Sequence, residues 1–404
     1  MSATGPTYPS RPAQAVLVAV LLLTMTVAIG MQFAIPVLGP LIMPDLGLSR
    51  AQLGMVTTLF FLVGAATSTS AGRWTDRVGG RNSLLVTHLS AGVAFVIAAQ
   101  SRSLALLVIA GAVAGIAAAL ANPATNRLII AGFAPGSRGA IIGLKQSGVQ
   151  LGGLVAGVAL PSLALLLGWQ RALLSWTAMA LVTTAIVALS VSATLDPPSG
   201  VRRAATKGSG GATMTVLSAF AALMGFGVSS VNTYLPIYSV EVVGTSVTTA
   251  GLVVSVLAVL GIASRLGWGW RADRIARPIR VLPILSIGAL VGTALLVLAA
   301  EVGPWALWVG SGVLGATALG WNGVAMLVAM NAVPPERAGW ASGRVILFFY
   351  IGLVISPIPF GLLADRLGNY VVGWAFVALS FALATAVTTV GPAARSQREI
   401  PTPS

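Results

Sequence analysis

Long apolar runs divide the chain near residues 14–38, 51–71, 82–100, 104–130, 139–162, 170–192, 213–238, 248–268, 281–300, 304–330, 339–362 and 370–391. A helix rises about 1.5 Å per residue, so runs of roughly 20 residues match a hydrocarbon core about 30 Å thick. The pattern predicts an all-α membrane protein with twelve transmembrane helices. No clear small-residue cleavage site follows the first run, which predicts a retained helix rather than a signal peptide. One polar interruption is longer than the others. Residues 195–212 run from Asp196, Pro197 and Pro198 through Arg202, Arg203 and Lys207 to Gly208, Gly210 and Gly211. Coming after six runs, this stretch predicts a flexible linker between a six-helix unit at 1–194 and another at 213–404.

Composition agrees with the pattern. Of 404 residues, 56% are hydrophobic and only 8% charged, whereas a soluble domain needs about 25% charged residues to cover its surface. Twelve spans of about 22 residues use about 264 positions and leave about 140 for tails and short loops. There is no Cys, and His88 is the single His. Disulfides, thiolate nucleophiles and Cys-ligated metals are excluded, and His-based metal sites and catalytic triads nearly so. We expect no enzyme, no metal and no cofactor.

The formal charge of +14 gains meaning only from topology. With both termini cytoplasmic, the outer loops hold Arg50, Arg102, Arg171 and Arg366, and Lys145 and Arg344 fall inside runs. The remaining 17 of the 23 basic residues then lie on the inner side. That split obeys the positive-inside rule, so the charge orients the chain and meets lipid headgroups rather than nucleic acid. The expected place is the cell's inner (cytoplasmic) membrane.

The two halves repeat. Gln32 and Pro36 correspond to Asn232 and Pro236 at an offset of 200, and Gly54, Gly64, Gly72, Asp76 and Arg77 to Gly251, Gly261, Gly269, Asp273 and Arg274 at 197. Gly115 and Asn122 match Gly315 and Asn322 at 200, Pro135 and Arg138 match Pro334 and Arg337 at 199, and Gly168 matches Gly368 at 200. An offset held within three residues across a whole half is the mark of a duplicated fold.

The loop Gly72-Arg73-Trp74-Thr75-Asp76-Arg77-Val78-Gly79-Gly80-Arg81 and its repeat Gly269-Trp270-Arg271-Ala272-Asp273-Arg274 both resemble the G-x-x-x-D-R-x-G signature of the major facilitator superfamily. Gly80 stands where a basic residue is usual, and the second copy has Ala276 and Pro278 where the first has Gly79 and Arg81. The resemblance spans essentially the whole chain. It implies two pseudo-symmetric six-helix bundles rocking about a central site. Gly72, Asp76, Arg77, Arg81, Gly269, Asp273 and Arg274 would then form a cytoplasmic latch, with Gly72 permitting close helix approach. The plainer alternative is a charged loop that only sets topology.

None of the nine acids lies in mid-span, so a buried carboxylate relay is missing. The interior holds cations instead. Lys145 and Arg344, at an offset of 199, each lie about 9 Å inward from the cytoplasmic end of a run. Burying them is costly enough to suggest a clamp for an anion; the alternative is that both snorkel to the interface. Gln146 and Gln150 extend the polar face of the fifth run. By the resemblance, Gln32, Asn232, Asn122 and Asn322 lie on cavity-lining helices and would read a small polar substrate, although helix-to-helix hydrogen bonding serves as well. Tyr234, Trp321 and Tyr350 are wall or packing residues, and His88 is structural. Gly148, Gly152, Gly153 and Gly157 suit tight helix packing.

The fifth run lacks the Gly-Pro step of drug-exporting members. Lys145-Gln146-Ser147-Gly148 and Ser264-Arg265-Leu266-Gly267-Trp268-Gly269 are similar to the cyanate and nitrite-type or oxalate and monocarboxylate-type branches. The expected protein is a monomer in the lipid bilayer carrying a small, anionic substrate. The alternatives are an exporter of amphipathic drugs or metabolites and, more remotely, a transporter-derived receptor or membrane enzyme. Topology is checked by single cysteines in this cysteine-free chain. A cysteine at Arg50 should react with an impermeant maleimide only from outside and one at Lys207 only from inside; the opposite pattern would overturn the orientation.

Overall fold

The computed structural model describes residues 8–192, 211–334 and 337–390, apart from 273 and 276. Nearly all of the linker expected at 195–212 lies outside them. The described residues form α1 (Arg11–Ile29), α2 (Met31–Leu46), α3 (Arg50–Val78), α4 (Gly80–Ala99), α5 (Leu104–Gly132), α6 (Arg138–Leu167), α7 (Trp169–Ser190), α8 (Ala212–Glu241), α9 (Val247–Ala272), α10 (Val281–Val302), α11 (Trp305–Ala318), α12 (Trp321–Asn331), α13 (Ala338–Ile355), α14 (Pro357–Leu367) and α15 (Val371–Val390). Twelve segments are long and apolar enough to cross a membrane, as the hydropathy pattern predicts.

Three apolar runs that read as continuous are broken. The first splits at Gly30, where a Cβ would lie 2.2 Å from the Trp176 indole. That indole occupies the missing side chain's space and donates through Nε1 to the Val27 carbonyl at 3.2 Å. The tenth run splits between α11 and α12, and α9 supplies donors to the carbonyls around the break. Ser264 donates to Gly315 (2.9 Å), Trp268 Nε1 to Ala316 (2.9 Å) and Arg265 Nε to Leu319 (3.2 Å). Hydrocarbon offers no water for such carbonyls, so a break survives only where a neighbouring helix repairs it. The eleventh run breaks at Ser356, whose hydroxyl bonds that of Ser230, and Pro357 starts α14.

The described residues group into two compact units, one drawn from 1–34 and 62–202 and the other from 35–61 and 203–404. Within the first, α6 lies on α1, and α4 on α5 and α7; within the second, α13 lies on α8, and α10 on α11 and α15. These are the same pairings displaced by about one half-chain, and glycine makes them. A Cβ on Gly152 would meet the Thr26 carbonyl oxygen of α1 at 3.2 Å, and one on Gly352, 200 residues on, the Ala222 oxygen of α8 at 2.0 Å. Gly148 packs likewise against the Leu22 oxygen at 2.3 Å. Gly168 (φ +86°) and Gly368 (φ +64°), also 200 apart, end α6 and α14 in a conformation that a side chain would strain. The first unit's core includes Leu17, Leu21, Leu84, Leu128 and Val187. The second is rich in rings, with Tyr234 stacked on Phe360 at 4.2 Å and Trp374 set edge-on to Phe360 at 5.1 Å.

Gly72 corrects one expectation. A Cβ on it, or on Gly269, would meet open space, so neither glycine serves a close helix approach in this structure. Gly352→Ala should therefore destabilise the protein by about 1–3 kcal/mol through forced backbone shifts, while Gly72→Ala should be neutral or stabilising by up to about 1 kcal/mol, because alanine costs less helix entropy than glycine. Thermal unfolding in detergent measures both; equal effects would contradict the packing described.

Candidate functional site

Lys145 lies in the third turn of α6, and its side chain is 1% exposed. Its ammonium is directed to α5, where Asn122, Thr125 and Asn126 stand at i, i+3 and i+4 and so share one helix face. Nζ donates to Asn126 Oδ1 and Thr125 Oγ1 at 2.7 Å each and to Asn122 Oδ1 at 3.2 Å. The Thr125 hydroxyl spends its own proton on the Ala121 carbonyl at 2.6 Å, so a lone pair faces the ammonium. Gln146 Nε2 reaches the same Asn122 oxygen at 3.4 Å. Of the residues picked from sequence, the structure thus brings together Lys145, Asn122 and Gln146. It adds Thr125 and Asn126, which sequence reading passed over.

Arg344, in the second turn of α13, is half-buried. Its Nε donates to Ser218 Oγ on α8 at 3.0 Å, and its guanidinium carbon lies 5.6 Å from the Trp340 ring centre and 5.9 Å from that of Phe348. Among the described residues no carboxylate pairs with Lys145 or with Arg344. Lys145 belongs to the first compact unit and Arg344 to the second.

The remaining predicted polar residues do not join either cluster. Gln32, in α2, is buried; Asn232, in α8, and Asn322, in α12, are half-buried. Trp321 sets its ring against Phe220 and Phe349, Tyr350 against Phe61 and Phe349, and Tyr234 against Phe360, so each ring has packing partners, and the Tyr234 hydroxyl also donates to the Arg50 and Pro357 carbonyls. Fully buried His88 bonds Thr24 through Nε2 at 3.1 Å and ties α4 to α1.

In the repeated loop, Asp76 is largely exposed and lies 3.7 Å from Arg127. Arg81 donates to the Val191 and Ala188 carbonyls at 2.8 and 2.9 Å and so satisfies the end of α7. Exposed Arg77 ends α3, and Arg274 stacks on Trp270 at 3.6 Å. Asp273 lies outside the described residues.

A second polar cluster lies wholly inside the second unit, at the start of α3. The Asp365 carboxylate accepts from the Arg50 and Ala51 backbone N–H groups at 3.0 Å each, capping that helix from another one. The Arg50 side chain donates to Glu241 at 2.7 and 2.9 Å and to the Tyr370 hydroxyl at 2.8 Å, and Tyr370 donates in turn to Glu241 at 2.8 Å. Burial, then the Glu241 charge, push the Tyr370 hydroxyl's pKa up, which keeps it a donor. Two glycines allow the approach: a Cβ on Gly361 would lie 2.6 Å from the Ala51 nitrogen, and one on Gly54 2.8 Å from the Pro357 oxygen. Sequence reading counted Arg50 as a topological charge only. The missed signal is Gly361-Leu362-Leu363-Ala364-Asp365-Arg366-Leu367-Gly368, which repeats the G-x-x-x-D-R-x-G spacing at the far end of the eleventh run.

A profile for the Major Facilitator Superfamily matches residues 20–357. Over 347 residues the chain is 29% identical to the probable nitrate/nitrite transporter NarK2 of Mycobacterium tuberculosis, covering 81% of this chain and 84% of that protein. Over 154 residues it is 30% identical to the probable sulfoacetate transporter SauU of Cupriavidus necator, covering 38% and 36%. The solved structure of a bacterial homologue of the human lysosomal transporter Spinster, inward-facing and unoccupied, matches with a TM-score of 0.79 at 17% identity, over 98% of this chain and 100% of that one. The fold is therefore shared.

Proposed function

We propose that this chain, which belongs to the Major Facilitator Superfamily and is thus a multi-pass secondary transporter rather than an enzyme, carries a small anion across the cytoplasmic membrane by alternating access. The observation that carries the reading is Lys145: a buried cation whose partners are all neutral. Neutral oxygens solvate an ammonium without cancelling its charge, so the electrostatic pull on an anion survives. Arg344 is the second unit's candidate ligand, and its guanidinium suits a planar carboxylate or oxyanion. Distant relatives named for nitrate/nitrite and sulfoacetate transport support this substrate class, and the resemblance to the nitrite-type and oxalate-type branches points the same way. Asn122 and Gln146 border the Lys145 site, and Gln32, Asn232 and Asn322 are further substrate contacts in this reading.

The bodies that move are the repeated halves, 1–194 and 213–404, with both termini cytoplasmic. The loops carrying Gly72, Asp76, Arg77 and Arg81 and carrying Gly269, Asp273 and Arg274 gate the inner side. Residues 35–61 fall in one compact unit with the second half, and the Asp365, Arg50, Glu241 and Tyr370 cluster is the clasp that releases them on the outer side. It combines a helix cap with a shared carboxylate, and both can be remade in water once the groups separate.

Lys145→Gln and Arg344→Gln should each weaken anion binding about tenfold or more while the protein still folds, and Arg344→Lys should recover part of the loss because it keeps charge without the planar fork. Transport of an identified anion at normal affinity by the double variant would contradict the assignment. The clasp is tested with a cysteine at Thr58, which is 6% exposed and donates to Val354 beneath it. Asp365→Asn should speed its labelling by an impermeant maleimide severalfold; unchanged protection would exclude a gating role.

A further inference from the structure

The surroundings of Lys145 hold more than a buried cation. An ammonium has three protons to donate and no lone pair to accept with, and in this structure three side-chain oxygens receive them, at 2.7, 2.7 and 3.2 Å. None of the three carries charge. Thr125 is held in the accepting orientation by its bond to Ala121, and Asn122 is shared with Gln146. The arrangement fits a protonated lysine solvated as it would be by water, with its position fixed by α5 rather than by a counter-ion.

The repeat shows that this is not a by-product of the fold. Asn122 has a mate in Asn322, but an offset of 200 puts Ala325 and Met326 opposite Thr125 and Asn126. The second half therefore lacks the cage, and Arg344 is met instead by Ser218 and two rings. Among the described residues, Lys145 has all three of its donors occupied by neutral oxygens, and Arg344 does not share that arrangement.

We infer that Thr125 and Asn126 determine the charge selectivity of the Lys145 site: they fix the ammonium in place while leaving its charge available to a bound anion. The inference rests on the proposed anion function and deepens it. Asn126 is the sharper of the two, because aspartate has the same shape as asparagine and differs by one negative charge. At hydrogen-bond distance from Nζ, that carboxylate would occupy the role of the bound anion permanently and leave an ion pair with no net attraction for a second one.

The test is calorimetric titration of the full-length protein in detergent with nitrate, nitrite and oxalate. Wild type should bind at least one of these probes. Asn126→Asp should bind it about tenfold or more weakly than Asn126→Ala does, although alanine is the larger change in shape and hydrogen bonding. Asn122→Asp, which sets a carboxylate on the same ammonium, serves as the second variant, and melting temperatures report folding. An Asn126→Ala loss equal to or greater than that of Asn126→Asp would mean that shape or hydrogen bonding matters rather than charge, and would overturn the inference while leaving the anion function intact. Failure of wild type itself to bind any probe would remove the anion reading and the inference with it.

Discussion

A carbonyl or a charged side chain inside hydrocarbon has to find its partner within the protein, and the departures of this chain from plain apolar helix follow from that constraint. The broken helices obey it: Trp176 serves the turn before Gly30, and Ser264, Arg265 and Trp268 serve the carbonyls at the α11 and α12 break. Hydroxyls within spans obey it by turning back on their own helix, as Thr87 does to Ser83 and Thr293 to Ala289. Lys145 obeys it in the costliest form, drawing on three side chains of a neighbouring helix.

The two halves share a framework but not a chemistry. Glycines 152 and 352 place α6 on α1 and α13 on α8 in equivalent ways, and Lys145 and Arg344 stand 199 residues apart, in the third turn of α6 and the second turn of α13. Their surroundings then diverge. Lys145 is fully enclosed and its donors are used; Arg344 is half-buried, donates through Nε to Ser218 and is flanked by Trp340 and Phe348.

The twelve spans were legible because a bilayer demands long apolar runs, and the repeat because glycines, prolines and polar residues recur at offsets of 197 to 200 across a whole half. The breaks were not, since Gly30 differs from a packing glycine only through Trp176, more than a hundred residues away. Gly72 was misjudged for the opposite reason: its motif suggested contact, and the structure leaves its side-chain position open. Lys145 stood out as a charge in an apolar run, yet its partners did not. Thr125 and Asn126 are neutral and have no mates in the second half; their spacing of three and four from Asn122 was the signal available. Arg50 was readable as an outer charge, but its engagement by Asp365 depends on the third copy of a spacing already recognised twice.

Anion recognition by a lysine in a neutral cage separates this account from export of amphipathic cations, and thermal stability of the purified wild-type protein tests it most directly. Screened against small inorganic and organic anions and against lipophilic cations, the protein should be stabilised, in a saturable way, by at least one anion and by none of the cations. Stabilisation by lipophilic cations with no response to any anion would contradict it.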